Sequence, residues 1–192
     1  MTPSIALLVL LASPTLPPPL PPVEPPTVEK LQDAKPDNKE LKSLVDADQA
    51  DRQHPPMDPK GFHAVMDRDH QRLARVKELV KSNAPQTAND FYAAALVLQH
   101  SESLDDYALA RTLALESARR GGAKSLMLAA EAWDRWLMKA GYPQHFGTQY
   151  RPKADDKTTF ELAPIDSATT DAERVKWGLP PLAEIPKTMS LH

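Results

Sequence analysis

The chain has 192 residues, of which 41% are hydrophobic and 26% charged, and its formal net charge is -3. This length allows one domain with one hydrophobic core, and the mild charge shows no basic patch of the kind that binds nucleic acid. The sequence contains no cysteine, which excludes disulfide bonds, thiolate catalysis and cysteine-ligated metal sites.

The N-terminal region differs in composition from the rest, because the first 36 residues hold ten of the 20 prolines. Residues 4–13 read SIALLVLLAS, a short apolar stretch that ends in small residues, as a secretory signal peptide does. No Lys or Arg precedes this stretch, so an apolar disordered tail is the alternative. We predict a signal peptide over 1–13, a proline-rich disordered linker over 14–36, and a secreted or periplasmic bacterial protein without a membrane span in its mature chain.

Hydrophobic periodicity predicts a mainly α-helical domain over 37–182, followed by a flexible tail over 183–192. One face of the first predicted helix carries two apolar residues and then an acid–base pair one turn apart: Leu41, Val45, Asp48 and Arg52. If this face is buried throughout, the pair must be fully hydrogen-bonded. If the end of the helix protrudes, the pair is an ordinary surface ion pair.

The second predicted helix places a carboxylate inside its apolar stripe. The stripe consists of Phe62, Met66, Leu73, Val76 and Val80, and Asp69 falls in its middle. An unpaired buried carboxylate is too costly, so Asp69 needs a partner, for which Arg52 and Arg135 are candidates. Asp69 is then either half of a structural ion pair between helices or a functional carboxylate.

The same helix carries His63, Asp67 and His70 along one flank, a chemically sensible set of metal ligands. The two histidines are separated by seven residues, or about 10 Å along the axis, so one tetrahedral ion could hardly bind both. A solvated flank is the simpler interpretation, and we predict no metal and no cofactor.

Three further helices follow, each delimited by capping signals. The spacings Thr87 to Asp90 and Ser103 to Asp106 are typical of capping boxes. The run FYAAALVLQH, residues 91–100, is apolar all round and predicts the central buried helix. The next two helices are separated by Gly121-Gly122, and Gly141 ends the second of them.

Two polar pairs stand at informative places on these helices. Gln99 and His100 close the apolar helix, where the His can interact with the helix dipole or serve as a general base at a pocket. Asp134 and Arg135 lie between Trp133 and Trp136. We expect Asp134 to orient an Arg or a backbone donor, and both tryptophans to belong to the core.

The stretch PQHFGTQY, residues 143–150, predicts the junction between the helices and a small β-hairpin formed by GTQYR and TTFELAPI. Thr148 and Gln149 are expected to reach back to inward-facing polar groups at the helix ends, and His145 is expected to be exposed. A short amphipathic helix, DAERVKWGL, follows the hairpin.

Two resemblances rest on these motifs. Residues 107–141 resemble one helix pair of the tetratricopeptide-like solenoids, although one pair is too few for a solenoid. The ordered set DADQADR, MDRDHQRLARV, LVLQH, WDRWLM, FGTQY and ERVKWGLPPL is similar to a bacterial domain-of-unknown-function family with a Gly-Thr-Gln signature after its helices. This resemblance implies a helical fold and a shared polar site, and it implies no reaction.

Two functions are compatible with the sequence. The first is a non-catalytic binding or protein-interaction module of the cell envelope, whose partner is another envelope protein or a small polar ligand. The second is a hydrolase-type enzyme with Asp48, Asp69 and His100 as catalytic candidates. The candidates for binding are Arg52, Gln99, Asp134, Arg135, Thr148 and Gln149. No nucleophile elbow, phosphate loop or dinucleotide motif is present.

Overall fold

The computed structural model describes residues 16–29, 35–56, 58–156 and 158–190, so the predicted signal peptide lies outside the described residues. The helices are α1 (Lys39–Gln53), α2 (Pro59–Lys81), α3 (Ala88–Leu98), α4 (Leu104–Arg119), α5 (Ser125–Lys139) and α6 (Asp171–Lys176). The strands are β1 (Tyr150–Pro152), β2 (Thr159–Leu162) and β3 (Thr188–Ser190). The prediction of a mainly α-helical domain with a small C-terminal hairpin is confirmed.

Four of the six described α-helices start at a residue whose side chain caps the helix, and α4 and α5 are the exceptions. The Thr87 side chain accepts from the Asp90 N–H, and the Asp90 carboxylate accepts from the Thr87 N–H, so the predicted capping box at α3 is present. The predicted box at α4 is wrong, because Ser103 makes no capping bond. Asp106 instead accepts a 2.6 Å hydrogen bond from the Ser101 hydroxyl, so it does not serve as the acidic partner of a capping box.

Helices α3, α4 and α5 form the centre of the domain, with α4 packed against both of its neighbours. Their contact faces are rich in alanine, and the fully buried positions include Ala94, Ala95, Ala110, Ala114, Ala129, Ala130 and Ala132. Small side chains let the helices approach closely. Gly121 makes the turn between α4 and α5 at φ +91°, a conformation that side chains with a Cβ rarely adopt.

Helix α2 is buried only over its second half. Val76 is fully buried and Leu79 is 7% exposed, whereas Phe62 and Met66 are 56% and 42% exposed. The predicted apolar stripe is therefore continuous on the helix but has a packing partner along only part of its length. The first half of α2 presents an aromatic and a thioether side chain to solvent.

The C-terminal sheet has the strand order β1-β2-β3, and both pairs are antiparallel. The hairpin of β1 and β2 pairs Tyr150 with Leu162, as the sequence predicted in outline. The prediction of a flexible tail over 183–192 is wrong for its central part, because Met189 in β3 pairs with Phe160 in β2. Strand β2 offered an unpaired edge that the tail completes.

Residues 16–29 lie along α4, although the sequence predicted a disordered linker there. The Tyr142 hydroxyl donates to the Pro17 carbonyl at 3.0 Å, and the Glu29 N–H donates to the Arg119 carbonyl at 2.7 Å. Leu20 packs against the core. In the described part of the chain, no helix has the length and apolar character needed to cross a membrane.

Candidate functional site

Asp48 on α1 forms a buried acid–imidazole pair with His100, the second residue after the end of α3. Asp48 is 1% exposed, and its carboxylate lies 3.1 Å from His100 Nδ1. The same carboxylate accepts from Gln49 Nε2 at 2.8 Å and pairs with Arg52 Nη1 at 3.0 Å. Of the two interpretations of the Asp48–Arg52 pair, the structure shows the buried and hydrogen-bonded one at the carboxylate end.

Asp69 continues this cluster on α2. Both of its oxygens accept from Arg52 at 3.3 Å, and one of them also accepts from Arg72. Burial alone would raise the pKa of Asp69, but the hydrogen bonds from the two guanidinium groups hold it below its ordinary value. Arg52 was correctly predicted as a partner. Arg135 was not, because it lies on α5 beside Glu131, and Arg72 takes its place.

Asp51 lies at the surface end of this cluster. It accepts from Arg68 at 2.6 Å and from Arg72 at 2.7 Å. The hydrogen bond from Arg68 is the largest influence on the pKa of Asp51 and lowers it to about 2. We call the whole set the acid–base network. Its members are Asp48, Asp51, Asp69, Arg52, Arg68, Arg72 and His100.

The acid–base network balances three carboxylates against three guanidinium groups, and each carboxylate has at least one guanidinium partner. Such mutual pairing compensates the loss of solvation on burial and ties α1, α2 and the end of α3 together. The network brings together the predicted catalytic candidates Asp48, Asp69 and His100. Gln149 is not a member, because its contacts lie in the C-terminal loop.

The weak metal candidates His63, Asp67 and His70 are all exposed on α2. Within the residues described, no group of three or more His, Cys, Asp or Glu side chains is arranged to hold a metal ion. This flank of α2 is a solvated helix surface.

Asp134 is fully buried on α5 and accepts four hydrogen bonds from the loop that follows the helix. One oxygen accepts from the N–H groups of His145 and Phe146, at 2.7 and 2.8 Å. The other accepts from the N–H and the hydroxyl of Thr148, at 3.0 and 2.8 Å. Burial raises the pKa of Asp134, while these four bonds favour its ionised form. The expected role as an orienting group for backbone donors is what the structure shows.

Gln144 links the same loop to the β1–β2 hairpin by hydrogen bonds. Its amide nitrogen donates to the carbonyls of Gln149 and Ala163, and its amide oxygen accepts from the Gln149 N–H. The predicted binding residue Gln149 uses its own side chain only locally, donating to Thr148 at 2.9 Å. Gly147, at φ +74°, allows the close approach, since a Cβ there would lie 2.7 Å from Ile165. The motif FGTQ is thus explained by folding.

Gln99 and Arg135 belong to a third polar cluster, centred on Glu131. Burial raises the pKa of Glu131, opposed by the charge of Arg135 and by a hydrogen bond from Gln99. Gln99 is 3% exposed, and its amide oxygen has no partner in the described part of the chain. These residues face one another between the end of α3 and α5.

Arg111, in the middle of α4, is the least expected feature of the molecule. It is 5% exposed, and no carboxylate pairs with it among the described residues. Its guanidinium carbon lies 4.0 Å from the centre of the Trp133 ring, and one of its nitrogens donates to the Pro21 carbonyl at 2.7 Å. Burial lowers the pKa of Arg111 to about 10, so the group stays charged at neutral pH.

The Trp133 ring that contacts Arg111 belongs to a cluster of aromatic side chains. Trp133 stacks on His145 with the ring centres 5.0 Å apart and also contacts Phe146. The prediction of an exposed His145 is wrong, because the ring is covered by Trp133 and hydrogen-bonded to Glu173 at 2.8 Å. We define the α4–α5 groove by five residues: Arg111, Trp133, Leu137, Tyr142 and His145. Residues 17–22 of the N-terminal segment lie in it.

The occupant does not fill the α4–α5 groove. A cleft of about 290 Å³ remains between Pro19, Leu20 and Pro22 on one side and the aromatic wall on the other. A second groove of about 340 Å³ lies between α1 and α3, with Val45, Tyr92 and Leu96 in its lining. Its rim carries charged side chains, among them Lys42 and Asp46, which pair with each other.

Three of these roles could not be predicted from the sequence. Arg111 follows an alanine-rich helix pattern, and nothing in that pattern identifies a partner 90 residues away. Glu131 and Gln144 carry no sequence signal, because isolated Glu and Gln residues are usually solvated. Helical periodicity could have placed Arg111 on the face of Leu104, Ala108 and Leu115, three to four residues apart.

Comparisons with known proteins leave the two resemblances of the sequence as predictions. No family model matches the chain. No curated protein and no solved structure matches it either.

Proposed function

We propose that this protein is a non-catalytic binding module of the cell envelope, which holds an extended segment of a partner protein in its α4–α5 groove. The sequence favours this class of function over an enzyme, and the groove supports the proposal because an extended segment lies in it.

Arg111 is the observation that carries the proposal. A buried guanidinium without a carboxylate is costly, and stacking on Trp133 offsets part of the cost, by about 2 kcal/mol. The remaining donors need carbonyl oxygens, and the acceptor in the structure is a main-chain carbonyl of an extended segment. A donor that binds main-chain carbonyls beside an aromatic wall suits the recognition of extended chains.

The acidic candidates are held in ion pairs or hydrogen bonds, which supports a non-catalytic role. Asp48 and Asp69 are paired with guanidinium groups, and Asp134 is saturated by four donors. A general base needs a free lone pair directed at a reacting proton. These carboxylates use theirs to join helices and loops.

The predicted signal peptide supports the proposed location in the cell envelope. The apolar residues 4–13 and the proline-rich stretch after them are typical of a signal peptide and a tether. Fusing residues 1–36 to an alkaline phosphatase that is active only outside the cytoplasm tests this. Strong activity is expected, and activity equal to that of a leaderless fusion contradicts export.

Binding is tested by panning a phage library of random short peptides against the full chain. We expect enriched peptides whose binding is lost in Arg111→Met, a variant that keeps the length of the side chain but removes its donors. Thr112→Met, an exposed change on the next residue of α4, is the matched control. Enrichment that is equal on all three proteins contradicts a binding role of the groove.

A hydrolase-type enzyme is the second candidate, and one contact favours it. The imidazole of His100 hydrogen-bonds a buried carboxylate, as general bases of hydrolases do. Hydrolysis of p-nitrophenyl esters that is abolished in His100→Ala but kept in His145→Ala would support this candidate. Equal background rates for the three proteins count against it.

A further inference from the structure

We infer that the ligand of the α4–α5 groove is a proline-rich extended segment of another protein, and that residues 16–29 of this chain are an exchangeable occupant of the same place. This inference rests on the proposed binding function and names its partner by chemistry. Binding of the partner then requires release of the chain's own segment.

The occupant is recognised through its main chain. Tyr142 donates to the carbonyl of Pro17, and Arg111 donates to the carbonyl of Pro21. Proline-rich segments adopt an extended helix without internal hydrogen bonds, so their carbonyls remain free to accept. Two donors spaced for carbonyls four residues apart therefore select for this conformation, and they tolerate many side chains.

One side chain anchors the occupant. Leu20 packs against the core, whereas Leu16, Val23 and Val28 remain 53%, 39% and 62% exposed. The flanking contacts are mainly polar and lie at the surface, as in the pair of Lys176 with Glu24 at 3.9 Å. The segment's own apolar contacts are thus limited, which makes displacement by a competing segment feasible.

The open cleft beside the docked segment offers additional contacts to a competing segment. About 290 Å³ stays open next to Leu20 and Pro22, with Trp133 and His145 in its wall. The indole N–H of Trp133 has no acceptor in the described part of the chain, although the residue is only 4% exposed. A proline-rich segment with a larger side chain in this place fills space that the chain's own segment leaves empty, and an acceptor on it can pair with the indole.

Because residues 16–29 are covalently linked to the groove, they compete strongly with any added peptide, and the experiment must weaken this competition. A covalently linked segment competes at an effective concentration of about millimolar, which masks weaker binding in trans. Leu20→Ser removes the apolar anchor from the occupant and leaves every residue of the groove in place. Leu16→Ser makes the same chemical change at an exposed position of the segment.

The experiment measures fluorescence anisotropy of a labelled peptide with the sequence of residues 16–29, LPPPLPPVEPPTVE, added to the full chain. We expect the peptide to bind Leu20→Ser about tenfold more tightly than Leu16→Ser, because loss of one buried leucine weakens the competitor by about that factor. Binding is expected to disappear when Arg111→Met is added to Leu20→Ser. Tyr142→Phe, which removes a single hydroxyl, is expected to weaken binding while circular dichroism stays unchanged.

One further peptide, read together with the panning result, separates the inference from the function on which it rests. If a peptide with alanine in place of every proline binds Leu20→Ser equally well, the proline-rich ligand class is wrong, while a groove for extended segments stands. If neither peptide binds and panning also enriches nothing, both proposals fail. A native chain that forms dimers, which Leu20→Ser dissociates, would show that the segment sits on a second copy and would overturn the tethered occupant.

Discussion

Asp134 shows how a single carboxylate can organise a non-helical part of the chain. The loop after α5 has three N–H groups that no helix or sheet satisfies, and Asp134 accepts from all of them. The position of the residue between two tryptophans identified it as inward-facing. Thr148 was expected to reach back to such a group, and it does. The partners His145 and Phe146 could not be predicted, because their N–H groups are placed by the conformation of a loop 11 and 12 residues later.

Replacing Asp134 by Asn tests this role. The amide keeps the shape, but its NH₂ group faces donors where an acceptor is needed, so we expect a loss of about 2–4 kcal/mol in the free energy of unfolding. Thr148→Val removes one hydroxyl donor and should cost about 1 kcal/mol. Urea titration gives both values, and the exposed Asp105→Asn is the control. A cost of Asp134→Asn no larger than that of the control contradicts the assigned role.

Asp51 gives the acid–base network a defined pH dependence. Its pKa is about 2 in the folded chain, against an ordinary value of 3.8. Because the folded state holds fewer protons at this residue, its ionised form contributes stability above about pH 4, and this contribution is lost as the pH falls towards about 2. The free energy of unfolding of the native chain should therefore fall more steeply in this window than that of Asp51→Asn. Parallel pH curves for the two proteins would rule out the shift.

At the scale of elements, the helices were predictable and their pairing was less so. Capping signals act within a few residues, and the box of Thr87 and Asp90 was predicted correctly, whereas the box predicted at Ser103 does not form. The third strand was missed because its stability comes from the edge of β2, which is distant in sequence. Of the two partners predicted for Asp69, Arg52 was right and Arg135 was wrong. The second partner is Arg72, which lies on the same helix as Asp69.

Two arginines on α2 allow a matched test of the acid–base network. Arg72 has a side chain 7% exposed and bridges Asp51 and Asp69, whereas Arg68 is 47% exposed and contacts Asp51 at the surface. We expect Arg72→Met to cost about 3 kcal/mol, since it leaves carboxylates with fewer partners in a poorly solvated place. Arg68→Met should cost less than about 1 kcal/mol. Equal costs in chemical denaturation would mean that the network has no buried centre.

The first half of α2 gives a second test at this scale. Phe62 and Met66 continue an apolar stripe but are exposed, so Phe62→Ser and Met66→Ser should each change the free energy of unfolding by less than about 0.5 kcal/mol. Val76→Ala, on the same stripe but fully buried, should cost about 2 kcal/mol. Thermal denaturation distinguishes the two cases. A large loss at Phe62 would show that this end of α2 is packed.

For the whole molecule, the main departure from the sequence prediction is the path of residues 16–29. Proline-rich composition predicts an extended segment correctly but says nothing about what it touches. Docking depends on Arg111 and Tyr142, which are 90 and 125 residues away from their acceptors. The contacts of these two side chains with residues 16–29 are the basis of the binding role proposed above.

The docked segment is tested most directly by the distance between two spin labels, which a chain without cysteine allows at chosen positions. One label replaces Val23 in the segment, and the other replaces the exposed Lys81 at the end of α2. Pulsed electron paramagnetic resonance of the full chain should give a single narrow distance distribution, which broadens in Arg111→Met. A broad distribution in the native background, unchanged by Arg111→Met, would contradict the docked segment and with it the assignment of the α4–α5 groove.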